Sequence, residues 1–139
     1  MKRFVLDASV ALAWFIDRSI APYAVSVRQL LLSGNRAVVP PLWQVEVWNG
    51  VVMAERRGVI SASDTAELLQ NLEVLIGQSI ETSQEALSSR RIVAAAREFR
   101  LTAYDAVYLA LAMQLQLPLA TLDRALHHAA TKAGVPLAH

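Results

Sequence analysis

Apolar and polar positions along the chain switch repeatedly between a spacing of two and one of three to four, and the switches mark short strands and longer helices. Arg3-Phe-Val-Leu is a short apolar run that ends at Asp7, and a helical spacing takes over from about Ser9 to Ile16. A second helix is predicted from about Ala21 to Leu32. It stops at Ser33-Gly34-Asn35, and Arg36-Ala-Val-Val is again strand-like. Pro40-Pro41 opens a long helix, Pro41 being suited to the first turn, and Gly58 closes it. Ser61-Ala-Ser-Asp64 has the capping-box spacing and starts a helix through to about Ile76. Ser79-Ile-Glu reads as a short strand, Gln84 to Phe99 as a helix and Tyr104 to about Leu115 as another. Leu119-Ala-Thr-Leu is then a strand, Arg124 to Lys132 a helix and Val135-Pro-Leu a marginal edge strand. Strands alternating with helices predict an α/β fold, a parallel sheet covered on both faces, with no repeat or linker dividing residues 1–139.

That order places four acids. Ligands of open parallel sheets bind outside the carboxyl ends of the strands, where Asp7 and Asp123 stand. Glu46 lies one to two turns inside the helix that follows the strand ending near Val39, and Asn49, three residues on, shares its face. Asp105 sits in the first turn of its helix and reaches the same edge if that helix returns toward Leu119. Local explanations compete with this one. Thr102-Ala-Tyr-Asp105 has the capping-box spacing, and Asp123 is placed to cap the helix beginning at Arg124. Glu46 could be a solvated helix residue, but its neighbours Trp43, Val45, Val47 and Trp48 make an apolar setting in which an acid needs a partner or a metal.

Composition narrows the chemistry. With no cysteine, the chain has neither a disulfide framework nor a thiolate metal site, which fits a reducing cytoplasm. The three histidines, His127, His128 and His139, lack metal-ligand spacing. Clustered carboxylates repel one another, and a hard divalent cation such as Mg²⁺ or Mn²⁺ is the natural counter-charge. The net charge is +1, but with the four acids set aside 13 basic residues face 8 acidic ones, and 11 of the 13 are arginine, suited to phosphate contacts. Hydrophobic residues reach 55%, an excess that suggests a covered partner surface with a groove near the first helices, where Trp14, Trp43 and Trp48 belong either to that surface or to the core. No membrane span is expected, because Pro118, Gln114 and Gln116 interrupt the apolar stretches. Phe4-Val-Leu is too short for the apolar segment of a signal peptide.

The segments Asp7-Ala-Ser9, Glu46-Val-Trp-Asn49, Tyr104-Asp105-Ala106 and Thr121-Leu-Asp123, in this order across nearly the whole chain, resemble those of PIN-domain ribonucleases, and the length resembles their VapC-type toxin branch. The resemblance implies a single-domain α/β/α sandwich over residues 1–139. It also implies a Mg²⁺- or Mn²⁺-dependent endoribonuclease acting on single-stranded RNA, self-association as a homodimer or larger, and neutralisation by a small antitoxin. Carried over, Asp7, Glu46, Asp105 and Asp123 would hold the metal directly or through water, with Ser9, Asn49 and Thr121 as supporting polar groups. Leu126 departs from the family, where an aromatic residue is common. Two other classes fit less well. An aspartate-nucleophile phosphatase would carry an acid where Ser9 stands, and a phospho-accepting receiver would carry a late strand-end lysine, whereas Lys2 and Lys132 are the only lysines. A non-catalytic interaction module whose acids are all caps is the third alternative, separated from a nuclease by metal binding.

Overall fold

The computed structural model describes residues 2–139, which form four strands and seven helices. In chain order these are β1 (Arg3–Leu6), α1 (Ala8–Ile16), α2 (Pro22–Leu32), β2 (Arg36–Val39), α3 (Leu42–Arg56), α4 (Ala62–Gln78), β3 (Ile80–Thr82), α5 (Ser89–Phe99), α6 (Ala103–Leu115), β4 (Leu119–Ala120) and α7 (Arg124–Lys132). The strands form one parallel sheet in the order β3-β2-β1-β4, with Val5 opposite both Val38 and Leu119. Most strand residues are buried, β1, β2 and β4 most completely, as a parallel sheet covered on both faces requires. The arrangement is the expected α/β/α one. Helices α1 to α4 pack against one another and onto β2 and β3, while α6 lies on β1 and β4 and holds α5 and α7.

The strand order creates the site. From β1 the chain steps outward to β2 and β3, then returns past β1 to place β4 on its other side. The crevice at the carboxyl ends of β1 and β4 is therefore the point where the winding reverses, the place where such sheets bind ligands. Asp7 directly follows β1, and Thr121 directly follows β4.

Punctuation set the element ends largely as expected. Gly34 and Gly58 adopt positive φ (92° and 74°) after α2 and α3, a conformation open to glycine at little cost. Ser61 and Asp64 form a complete capping box at α4. Three boundaries differ from expectation. Helix α5 begins at Ser89 rather than Gln84, because Ser88 caps it through the amide of Arg91 while Ser83 Oγ and Gln114 Nε2 hold Glu85 outside the helix. Strand β4 ends at Ala120 rather than Leu122, since Thr121 turns toward Asp7. The last edge strand is reduced to one bridge between Leu137 and Leu119.

The tryptophans divide. Trp14 is buried with its indole N–H donating to the Ala24 carbonyl (2.7 Å), Trp43 is fully buried, and only Trp48 is exposed. Two of the three are therefore core, and of the three only Trp48 is open to a partner. Among the described residues no helix is long and apolar enough to cross a membrane.

Candidate active site

Asp7 occupies the N-cap position of α1, but its side chain makes no capping bond there. It is 5% exposed and turned into the crevice, where Ser9 Oγ (2.6 Å) and Thr121 Oγ1 (2.7 Å) both donate to its Oδ2. Each hydroxyl also accepts a backbone amide: Leu122 N–H donates to Ser9 Oγ, and Asp123 N–H to Thr121 Oγ1, both at 3.0 Å. This small network ties the start of α1 to the end of β4 and fixes the Asp7 carboxylate. Among the described residues no side-chain hydrogen bond uses Asp7 Oδ1. Burial pushes the Asp7 carboxyl up from its usual range, nearby Asp123 adds to the rise, and the two hydroxyls oppose it.

Helix α3 brings Glu46. Its buried face, Trp43, Val47, Val51 and Ala54, seats it on the core, and Gly50 lets it approach α1 closely. A methyl group at Gly50 would meet the Leu12 methyls at 2.5 and 2.7 Å. One turn before Gly50, Glu46 accepts a short hydrogen bond from the hydroxyl of Tyr108 on α6. Its pKa is raised by burial and by Asp7, and held down by Tyr108. Asn49, exposed on α3, belongs to the same wall.

Asp105 separates the cap from the site. At α6, Thr102 Oγ1 accepts the Asp105 amide (3.2 Å), but the reciprocal bond from the Thr102 amide to the acid, present in α4, is not formed. The carboxylate instead lines the crevice, where burial and then the charges of Asp123, Asp7 and Glu46 push its pKa up to about 6. Asp123 serves both ends, since its Oδ1 caps α7 through the Leu126 amide (2.8 Å) while its charge is felt by Asp7 and Asp105.

Together these side chains line an open cavity of about 290 Å³ containing Asp7, Ser9, Glu46, Asn49, Asp105 and Asp123, with Thr121 buried behind Asp7. Tyr108 was missed by the sequence reading. Its signal was present, because it lies three residues after Asp105 on the same face of α6, and a buried tyrosine hydroxyl needs a polar partner. As the side chains stand, no three Asp, Glu or His residues among those described are grouped closely enough to hold an ion directly. The donor set is nonetheless entirely oxygen, and its carboxylates raise one another's pKa. Both features fit a hard cation that keeps part of its water shell.

A family model for the PIN domain matches residues 4–132. The chain belongs to the PIN domain family. PIN domains are generally nucleases. Among solved structures, this PIN chain is similar to PAE2754 from Pyrobaculum aerophilum, with a TM-score of 0.70 and 22% identity over 92% of this chain and 84% of that one. It is also similar to FitAcB from Neisseria gonorrhoeae, with a TM-score of 0.62 and 19% identity over 98% and 96% of the two chains. At these identities the likeness is one of fold. No curated protein matches the sequence.

Proposed function

We propose that this PIN domain is a Mg²⁺- or Mn²⁺-dependent endonuclease of single-stranded RNA, acting in the cytoplasm as the toxin of a toxin–antitoxin pair. The observation that carries the reading is the convergence of Asp7, Glu46, Asp105 and Asp123, from four separate segments, on one crevice. A divalent ion bound there supplies a more acidic water and neutralises charge on the scissile phosphate. The chain's own part is positional and electrostatic. Ser9 and Thr121 fix Asp7 as the anchoring ligand, Tyr108 sets the orientation of Glu46, and Asp105 and Asp123 complete the carboxylate set, directly or through water. Asn49 offers a neutral amide at the open side.

A small antitoxin and a second copy of the chain are the partners of this reading. An apolar stripe of Val45, Trp48 and Val52 (56%, 46% and 43% exposed) runs along α3 and is available to them. The test is cleavage of single-stranded RNA by the purified protein in Mg²⁺ or Mn²⁺, abolished by chelator and largely lost in Asp7→Asn. Cleavage that survives chelation, or that Asp7→Asn retains, refutes the proposal.

A further inference from the structure

Of the nine aromatic side chains, only Trp48 and Tyr104 are exposed among the described residues. Trp48 is rotated about 200° around α3 from Glu46 and faces away from the crevice with Val45 and Val52. Tyr104 is different. It is 62% exposed and lies next to Asp105. It also stands four residues before Tyr108, on the same face of α6, one turn closer to solvent. Tyr108 reaches Glu46, and Asp105, the residue after Tyr104, lines the crevice. Four residues before Tyr104, Arg100 closes α5 in the left-handed conformation. Arg100 is exposed and, like every arginine except Arg3 and Arg36, outside any ion pair among the described residues. The α5–α6 turn therefore carries an exposed ring and an unpaired guanidinium four residues apart, the ring directly preceding a carboxylate of the crevice.

We infer that Tyr104 is a stacking platform for a base of the bound RNA strand next to the cleaved bond, with Arg100 holding a neighbouring phosphate. An exposed ring stacks any base, and arginine holds phosphate oxygens through paired N–H donors. The inference rests on the nuclease reading and deepens it. It assigns strand placement to residues that hold no metal, so it is read without metal.

The test is binding of a short fluorescein-labelled single-stranded RNA, and of the same strand carrying 2-aminopurine, to the full chain in chelator, with cleavage by wild type in Mg²⁺ measured in parallel. Tyr104→Ala should weaken binding at least fivefold and abolish 2-aminopurine quenching, Tyr104→Phe should retain both, and neither should change the salt dependence. Arg100→Gln should leave quenching in place and lower the slope of log affinity against log salt by about 0.7, the value of one phosphate contact on a single strand. Equal binding by wild type and Tyr104→Ala overturns the platform, as does an equal loss in Tyr104→Phe. Wild type that cleaves in Mg²⁺ but does not bind in chelator also overturns it. Wild type that does not cleave in Mg²⁺ overturns the nuclease reading instead. If Tyr104→Ala binds RNA normally but no longer retains a co-expressed protein partner, Tyr104 belongs to a protein surface and the inference is wrong.

Discussion

Replacing Asp105 by Asn removes one charge from the crevice without changing its shape, and the consequences can be worked from its surroundings. In the folded chain the Asp105 carboxyl is pushed up to about 6 by burial and by Asp123, Asp7 and Glu46. In the unfolded chain it titrates near its ordinary value of about 3.9. Because the folded value is the higher one, the folded state holds more protons, and wild-type stability falls as pH rises from about 4 through about 6. In a dry site the difference would be worth about 3 kcal/mol, but Asp105 is only half-buried and screening reduces this to about 1 kcal/mol. The dipole of α6 opposes the loss by about 0.3–1 kcal/mol. At pH 7 in chelator, Asp105→Asn should therefore match wild type or exceed it by up to about 1 kcal/mol, roughly 3 °C in Tm. Any excess should vanish below about pH 4, where wild type is also neutral at this position. Mg²⁺ should reverse the order, since an ion at 100 times its Kd adds about 2.7 kcal/mol to wild type and much less to a variant missing one ligand. Melting curves of both proteins across pH, in chelator and in Mg²⁺, measure all of this. Equal Mg²⁺ shifts in the two proteins would show that Asp105 serves only α6 and that the ion sits elsewhere.

Two further outcomes follow from the hydrogen bonds. Tyr108→Phe deletes the donor that holds down the Glu46 pKa, so carboxyl titration by NMR should find Glu46 raised further, with a loss of about 1–2 kcal/mol at pH 7; an unmoved Glu46 contradicts the assigned bond. Thr121→Val removes a donor to buried Asp7 and the acceptor of the Asp123 amide, and should cost about 1–3 kcal/mol in urea unfolding at pH 7 and less as the pH falls and Asp7, its carboxyl raised by burial, takes up a proton.

The parts of this fold legible in the sequence are those decided locally. Gly34, Gly58, Ser61 and Asp64 announce their helix ends through backbone freedom and capping chemistry, and these ends form as read. Strand-end acids are likewise visible once strands and helices are seen to alternate. What could not be read was decided by distant residues. Gln114 of α6 ties Glu85 outside α5, although residues 84–88 hold no strong helix breaker. Tyr108 is hidden in a helix so apolar that its hydroxyl looks incidental, and its role needs α3 packed across from it. On α3, Trp43 and Trp48 look equivalent in the sequence and lie about 140° apart around the helix, which buries one and exposes the other. The capping spacing at Thr102 and Asp105 is only half used, because the crevice claims the carboxylate.

The same residues thus carry both the joint between β1 and β4 and the chemistry, and this governs how variants must be interpreted. Asp7 is almost without solvent and accepts both Ser9 and Thr121, so Asp7→Asn turns a double acceptor into a group that presents donors to donors if its amide nitrogen faces them. Loss of cleavage in that variant alone could reflect a disturbed joint. The Asp105 carboxylate makes no hydrogen bond among the described residues, so Asp105→Asn disturbs charge and metal binding with little effect on the joint. A variant that keeps or gains stability in chelator, loses its response to Mg²⁺ and loses cleavage points to metal chemistry at the crevice, a combination that an acid serving only as a helix cap would not produce.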